Sequence, residues 1–404
     1  MPLINQFPDE VLSFKMQHFH LKNDLAQLSK AYQYDIREAT IFYSGRILEA
    51  LSSHAVSALG GKAKANVFAN LEYIDDFHFF NNSTRFWAHA LRRLANQVRH
   101  LLSDLEHDAH HISVALLNNW IEWFFVDYPL GPKLSNFKTS DDSSIEVVQL
   151  INQLSRNLNQ DSFDAIKFNQ QHKELLLHPA LISIIIEKLL DKGSFTEADQ
   201  LIEQALERSP DDLRLRQLFG LSMSRQSKLE KAMNTLQQLN KSFPNDDETM
   251  GILGGLFKRV WSNTGDNTYL NRSGKLYQQG WKNSRERNTY LGINAASIKL
   301  WQGKLEETQA IAKSITEQFK VKQQILSDKL PNQQQSLNFW DKETLAQAYF
   351  LAGQSDEAFN LYKELLDPIQ YPNKPFTVVT SQLRKHFQFI QPAENLKALI
   401  DAFE

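Results

Sequence analysis

A pattern that recurs after Pro179 constrains the fold of this chain more than any other feature. In its first copy Gly193 falls at a predicted turn, Ala198 and Ala205 fall at close-packing positions, and Pro210 closes the unit. Small residues let neighbouring helices approach closely, and a proline ends a helix because it lacks the backbone N–H. Such units are expected to stack pairs of helices into an α-α superhelix.

The later copies keep the spacing, which is about 34 residues, the length of a tetratricopeptide repeat. The matching residues are Gly220, Ala232 and Pro244; Asp247 and Gly254; Ala296 and Gly303; and Tyr349, Gly353 and Ala358. A loop at 262–267 is expected to stretch the third copy, and a glutamine-rich stretch at 322–336 is expected to interrupt the array. The region therefore resembles a tetratricopeptide array.

Two runs in this region, ETMGILGGLFKRVW at 248–261 and YLGINAASIKLWQGKLEE at 290–307, carry a second resemblance. They are similar to the TRAFs-binding region of certain MAP-kinase-kinase-kinases and its bacterial relatives. This resemblance implies that the region binds a protein partner. The candidate partner-binding residues are Lys258, Arg259, Trp261 and Asn294. A packed tryptophan with solvated flanks is the equal alternative for the basic residues beside Trp261.

Helical periodicity also runs through the rest of the chain. Only 15 glycines and 12 prolines occur in 404 residues, and strand-like alternation is scarce, so the predicted fold class is all-α. We expect a helical bundle at 1–131, a helical linker at 132–178, and a repeat domain with a C-terminal cap at 179–404.

The bulk composition limits the classes of site. The formal net charge is −3, so any anion-binding surface must be local, and the absence of cysteine excludes disulfides and thiolate metal sites. The N-terminal residues show no basic segment followed by an apolar core, and no apolar run approaches the roughly 20 residues of a membrane span. We expect a cytoplasmic protein without a membrane anchor.

The segment 85–100, RFWAHALRRLANQVRH, is the strongest candidate for chemistry. On a helix its apolar residues form one broad side, and the helix carries no carboxylate. The opposite side is a polar stripe of His89, Arg93, Asn96 and His100, flanked by Arg85, Arg92 and Arg99. Guanidinium groups neutralise phosphate and imidazole transfers a proton near neutral pH, so this set could bind and cleave a phosphodiester. The alternative is a solvated surface helix.

Residues 35–126 resemble the HEPN superfamily of helical bundles. The resemblance rests on an R-x-x-E-A pattern at 46–50, on LRRLANQVRH at 91–100, and on a helix that starts near Ser113 and ends in WIEWFF. Many HEPN proteins are metal-independent ribonucleases that bring an Arg-x4–6-His motif together across a homodimer. The resemblance implies that Arg93 and His100 are this pair, with Asn96 as a polar helper. Active members often carry a polar residue directly after the arginine, where this chain has Leu94.

The predicted function is therefore a HEPN-type endoribonuclease of a toxin or anti-phage defence system, regulated through the repeats. The resemblance makes Arg93, Asn96 and His100 catalytic, and the stripe residues Arg85, His89, Arg92 and Arg99 are expected to bind the phosphates of RNA. No metal or cofactor is expected. The alternative is an adaptor, or a nucleotide- or RNA-binding scaffold, without chemistry.

Two further features of the sequence are expected to have structural roles and not to form functional sites. His107 and His111 have the i,i+4 spacing of a zinc chelate, but no Glu follows the first His as in H-E-x-x-H, so an interhelical loop is favoured. Ser113 is expected to cap the next helix. The aromatic residues Trp120, Trp123, Phe124 and Phe125 are expected in the core or at a dimer interface and not on a base-stacking platform.

Overall fold

The computed structural model describes residues 21–63, 67–100, 108–134, 145–158, 160, 163–173, 178–331, 337–371 and 376–403. Helices joined by turns and short connections make up this part of the chain. These residues form nineteen α-helices and no strand, which confirms the all-α prediction. The helices are α1 Leu21–Gln33, α2 Arg37–Ala58, α3 Val67–Asp75, α4 Asn82–His100, α5 Ala109–Glu122, α6 Glu146–Leu158, α7 Ala165–Gln171, α8 Pro179–Asp191, α9 Phe195–Arg208, α10 Leu213–Arg225, α11 Leu229–Ser242, α12 Asp247–Thr264, α13 Asn267–Asn283, α14 Thr289–Trp301, α15 Leu305–Lys329, α16 Phe339–Leu351, α17 Ser355–Leu365, α18 Phe376–Phe387 and α19 Glu394–Asp401.

The chain divides into two compact units, residues 1–209 and 210–404. Helices α8 and α9, the first pair of the repeat pattern, thus belong to the first unit. The division into bundle, linker and repeats at 131 and 178 stays a prediction about which segments fold together. None of the helices in the described ranges is long and apolar enough to cross a membrane.

The first unit is built around α2, which packs against α1, α3, α4 and α5. Helices α2 and α4 approach closely at Gly45, where a Cβ atom would lie 2.5 Å from the Cβ of Ala95. A π-helical turn at Trp123–Asp127 continues α5, and the hydroxyl of Tyr128 donates a hydrogen bond of 2.9 Å to the carbonyl of Ala55. The four aromatic residues expected in the core are all buried there: Trp120, Trp123, Phe124 and Phe125.

An asparagine side chain caps the start of α4, whereas the start of α5 differs from the sequence prediction. The side chain of Asn81 accepts hydrogen bonds of 2.8 Å from the backbone N–H and the hydroxyl of Thr84, as an N-cap does. Helix α5 begins at Ala109, so the expectation that Ser113 caps it is wrong. The Ser113 hydroxyl instead donates to the carbonyl of His110, three residues earlier in the same helix, at 2.8 Å.

In the second unit, helices α10 to α17 form four consecutive pairs, and α18 and α19 pack on α14 and α17 at the C-terminal end. The small residues have the predicted role. A Cβ atom on Gly220 of α10 would lie 2.6 Å from the side chain of Leu236 in α11, and Ala232 is fully buried. Helix α11 ends two residues before Pro244, as expected.

Two predicted interruptions of the array are shorter than expected. Helix α12 continues through Thr264, and Gly265 and Asp266 alone separate it from α13, so the predicted loop at 262–267 is wrong. The turn is short because Gly265 adopts a φ of 73° and the Asp266 side chain caps α13. Helix α15 likewise runs through Lys329 into the glutamine-rich stretch, of which 332–336 lie outside the described residues.

Candidate functional site

Three basic side chains on or beside the α4 polar stripe meet carboxylates from neighbouring helices. The pairs are Arg85 Nε–Asp75 Oδ2 at 2.6 Å, His89 Nε2–Glu72 Oε1 at 3.4 Å and Arg99 Nη2–Glu49 Oε2 at 3.0 Å. Helix α4 itself carries no acidic residue, as the sequence indicates, but α2 and α3 supply the missing charge. These three residues therefore link helices of the bundle and do not form a cationic surface without counter-charges.

His89 is the most enclosed member of this stripe whose side chain the structure describes. Its side chain is 14% exposed and meets the ring of Phe68 edge-on, while the guanidinium of Arg92 lies 5.1 Å from the centroid of the same ring. Burial lowers the pKa of His89, although Glu72 acts in the opposite direction. His89 is consequently a neutral imidazole at neutral pH and supplies no charge for a phosphate.

The R-x-x-E residues that contribute to the HEPN resemblance also bind within the bundle. Arg46 Nη2 donates to Oδ2 of the buried Asp24 in α1 at 3.2 Å, and Arg46 Nε donates to the same oxygen at 3.3 Å. Glu49 is the partner of Arg99 described above. The contacts of Arg46 and Glu49 join α2 to α1 and to α4, and none of them requires a substrate.

Arg93 and Asn96 lie one turn apart on α4, and both are partly exposed. His100 ends the helix, but its side chain is outside the described residues, as is the whole of His107. His111 is the second histidine of the i,i+4 pair. Its Nδ1 lies at hydrogen-bond distance, 2.9 Å, from the Tyr32 hydroxyl. Within the described ranges, no three His, Asp or Glu residues are grouped so that they could hold a metal ion.

The second unit contains a cavity of about 580 Å³, which we name the inner groove. Residues of α10, α12, α13 and α14 line it, together with Asn288 before α14. Asp247 and Glu248 lie at one end of it, and Lys258 and Arg259 lie at the other. Eleven residues of α12 separate Asp247 from Lys258, a rise of about 16 Å. Between these ends Gly251 and Ile252 line the wall, so the groove has an acidic end and a basic end joined by a mostly uncharged surface.

Lys258 is held in place by a buried amide. Its Nζ donates a hydrogen bond of 2.6 Å to Oδ1 of Asn294, whose Nδ2 in turn donates to the carbonyl of Tyr290 at 2.9 Å. Burial lowers the pKa of Lys258 to about 8, the charge of Glu343 opposes this shift, and Lys385 and Arg259 add to it. Lys258 thus remains mainly cationic at neutral pH but loses its proton more readily than an exposed lysine.

The other predicted partner-binding residues have two different environments. Arg259 is exposed at the rim of the groove, and its Nη1 donates to the carbonyl and to the hydroxyl of Ser224. Trp261 stacks on Trp301, with ring centroids 5.2 Å apart, and the Nζ of Lys385 lies 4.2 Å from the Trp261 centroid. Lys258 and Arg259 therefore line the groove, and the buried Asn294 reaches it only through its hydrogen bond with Lys258. Trp261 packs against other helices.

Helices α16 and α18 add polar residues that the sequence analysis missed. Gln382 Nε2 donates to Oε1 of Gln347 at 3.0 Å, and Gln347 Nε2 donates to the carboxylate of Glu343. Burial raises the pKa of Glu343 to about 7, against the effects of Gln347 and Lys258. The spacing of Glu343 and Gln347, one turn apart within an apolar helix, is the signal that could have revealed them.

His386 of α18 was missed as well. It is fully buried, its ring lies 5.7 Å from that of Trp301, and neither ring nitrogen has a hydrogen-bond partner among the described residues. Burial, with the positive charges of Lys258 and Lys385, lowers its pKa to about 3. The imidazole is therefore neutral, with one N–H donor and one acceptor left unused.

The comparisons with known proteins concern the repeat region. Residues 194–299 match the family described as Tetratricopeptide Repeats-Sensor, a stretch that includes all four predicted partner-binding residues. No curated protein matches the chain. The crystal structure of a thermophilic tetratricopeptide protein from Thermus thermophilus is similar to 50% of this chain and 97% of that one, with 16% identity and a TM-score of 0.38. The family match supports the tetratricopeptide-like prediction, and the HEPN-like assignment stays a prediction.

Proposed function

We propose that this protein is a regulatory adaptor whose second unit binds a polypeptide segment of a partner protein in the inner groove. The observation that carries the proposal is the groove itself, a cavity of about 580 Å³ with charges of opposite sign at its two ends. Arrays of paired helices use their concave surface to bind partners. The family description of residues 194–299, a tetratricopeptide sensor, agrees with a binding role.

The charges of the groove define the chemistry of the segment. An acidic group is favoured beside Lys258 and Arg259. A basic group is favoured beside Asp247, because Glu248 already pairs with Arg214 at 3.1 Å. Because the two ends are about 16 Å apart along α12, an extended segment needs about five residues to join them. Complementary charge at both ends also fixes the direction in which the segment lies.

Cross-linking from inside the groove tests this proposal. A photoreactive amino acid replaces Ser262, an exposed residue of the groove lining, and in a control protein it replaces Lys313, an exposed residue of α15. We expect the Ser262 position to cross-link a defined segment, identified by mass spectrometry, and the Lys313 position not to do so. The segment is then synthesised and its affinity for the full chain is measured.

Charge reversal gives the decisive comparison. Arg259→Glu is expected to weaken binding of the synthetic segment about tenfold or more, since a like charge then faces its acidic group. Replacing that acidic residue by lysine is expected to restore binding to the variant. If both positions cross-link the same proteins, or if Arg259→Glu binds the segment as the wild type does, the proposal is wrong.

A metal-independent HEPN-type endoribonuclease is the second candidate function, and the partial exposure of Arg93 and Asn96 on one face of α4 favours it. In such a site Arg93 would hold the scissile phosphate, and His100 would transfer a proton to or from the ribose oxygens. A dimer mate would supply the second copy of the pair. Arg85 and Arg99 contribute less, because Asp75 and Glu49 already offset their positive charges, and His89 contributes less because burial keeps it neutral.

Purified full-length protein incubated with RNA in EDTA tests this second candidate. If the site is catalytic, wild type cleaves RNA without a metal and Arg93→Ala lowers the rate by about 10²–10⁴-fold. Arg85→Ala is the matched control, because it removes a guanidinium that already pairs with Asp75. An inactive wild type, or cleavage that survives Arg93→Ala, would eliminate the ribonuclease assignment and leave the adaptor.

A further inference from the structure

Three cationic side chains meet at the basic end of the inner groove. Lys258 and Arg259 line the groove, and Ser262, also in its lining, accepts a hydrogen bond of 2.8 Å from the Nζ of Lys385. Lys385 comes from α18, so this helix and α12 both contribute positive charge. Among the described residues, Glu343 is the carboxyl group whose charge acts on Lys258. The cations therefore outnumber the carboxylates around this end of the groove.

The same region contains buried polar groups that have no hydrogen-bond partner. The indole N–H of Trp301 and both ring nitrogens of His386 have no hydrogen-bond partner among the described residues, although both residues are more than nine-tenths buried. Lys385 connects them to the groove, since its Nζ lies 5.2 Å from the Trp301 centroid. A buried polar group without a partner is costly, and such groups commonly mark a bound ion or ligand.

The side-chain oxygens of this region already accept hydrogen bonds from other groups. Oδ1 of Asn294 accepts from Lys258, and the chain from Gln382 through Gln347 ends on the carboxylate of Glu343. This region therefore lacks acceptor oxygens for two buried N–H groups, the indole N–H of Trp301 and the single N–H of the neutral His386 ring. That deficit distinguishes it from an ordinary buried polar network, in which donors and acceptors balance.

We propose that Lys258, Trp301, Lys385 and His386 form an anion pocket that binds a small oxyanion, either a carboxylate or a phosphate group. The two ammonium groups supply the charge, the Trp301 and His386 N–H groups donate hydrogen bonds, and the groove beside Ser262 is the entry. An oxyanion accepts several charge-assisted hydrogen bonds at once, which a neutral ligand does not. The proposal goes beyond partner binding, because it holds whether or not a polypeptide lies in the groove.

Titration of the full chain with inorganic phosphate tests the anion pocket, with sodium chloride at equal ionic strength as the reference. We expect saturable binding of phosphate by calorimetry, and Lys258→Met and Lys385→Met should each weaken it about tenfold or more. The control is Lys322→Met, since Lys322 also lies over an aromatic ring, Phe319, at 5.5 Å but is paired with Asp341. Its affinity should equal that of wild type.

Nitrogen NMR of the histidine rings gives a readout that does not depend on the folding of the lysine variants. The His386 signals are those lost in His386→Gln, and phosphate is expected to shift them in wild type. A parallel titration with acetate distinguishes the two oxyanions. If acetate alone shifts the His386 signals, the ligand is a carboxylate, and if phosphate shifts them, the ligand is a phosphate group. Absence of saturable binding and of any His386 shift with either anion overturns the proposal, as does wild-type affinity in both lysine variants. Neither result depends on the partner segment that is tested by cross-linking.

Discussion

The carboxyl group of Glu343 ionises close to neutral pH, because burial in α16 raises its pKa to about 7. The hydrogen bond from Gln347 and the charge of Lys258 favour the ionised form, but they do not cancel the cost of burial. An unfolded glutamate has a pKa of about 4.3. The native protein therefore keeps a proton on this carboxyl group over a range of pH in which the unfolded chain has lost it.

Stability is expected to fall with rising pH through this range. Between about pH 4.5 and 7 the ionised carboxylate is favoured in the unfolded chain, so the free energy of unfolding decreases by up to about 1.4 kcal/mol per pH unit. Glu343→Gln removes this contribution. Urea unfolding of wild type and variant over this window should show the variant gaining relative stability as the pH rises.

Glu307→Gln provides a control of opposite sign. Lys299 donates a hydrogen bond to the Glu307 carboxylate and lowers its pKa, so its stabilising contribution is lost as the pH falls and not as it rises. A difference between wild type and Glu343→Gln that does not change with pH would show that Glu343 ionises normally.

The role of a residue could be predicted from the sequence only where that role depends on the residue's own helix. The burial of Trp120 in α5 follows from local pattern and is observed. The pairing of Arg85 with Asp75 and of Arg99 with Glu49 is not visible locally, because the partner belongs to another helix. For the same reason His386 could not be recognised, since its isolation results from packing between helices.

At the scale of elements, one aspartate joins two helices of the second unit. Oδ2 of Asp246 accepts from the backbone N–H of Thr249 at 2.8 Å and from its hydroxyl at 2.6 Å, which caps α12. The same oxygen accepts from Nε2 of Gln217 in α10 at 2.7 Å. The cap is therefore also a link between neighbouring helix pairs.

Asp246→Ala is expected to lower the free energy of unfolding by about 2 kcal/mol, since both the cap and the bond to α10 are lost. The matched control is Asp266→Ala, because Asp266 caps α13 through the N–H of Thr268 at 2.8 Å but is exposed. The control should cost less than Asp246→Ala, because only a cap is lost. Urea unfolding measures both, and equal costs would show that the link to Gln217 adds nothing.

Helix periodicity and small residues predicted most elements of the repeat region, whereas turn lengths were harder to predict. The loop expected at 262–267 reduces to Gly265 and Asp266, because a left-handed glycine and an aspartate cap suffice to end one helix and begin the next. Their polar neighbours Ser262 and Asn263 suggested a longer loop, yet both belong to α12.

At the scale of the molecule, the all-α class was predictable from composition and period, but the compact units were not. The boundary after Ser209 separates α9 from the helices that continue the same repeat pattern. A repeat pattern shows which segments have similar sequences, whereas a compact unit is defined by which segments pack together. The candidate groove depends on the second property, because its basic end needs α18 as well as α12.

Assembly is the prediction at this scale. If α4 forms a HEPN-type site from two copies, the protein is a homodimer, and light scattering at micromolar concentration should give about twice the mass of one chain. Dilution that yields monomers should abolish RNA cleavage in step with dissociation. A monomer that cleaves RNA would show that one copy is sufficient and that the shared site is wrong.

The contact between Lys385 and Ser262 has a consequence for the order in which the protein is made. These residues are 123 positions apart, so a ribosome must add 123 residues after Ser262 before the ammonium group that covers Trp261 and Trp301 is available. Until then, the two stacked indoles belong to a nascent chain that lacks this cover, and exposed apolar surface of this kind recruits chaperones. Anion binding at the proposed pocket would thus require α18, and a chain truncated before α18 would be made without it.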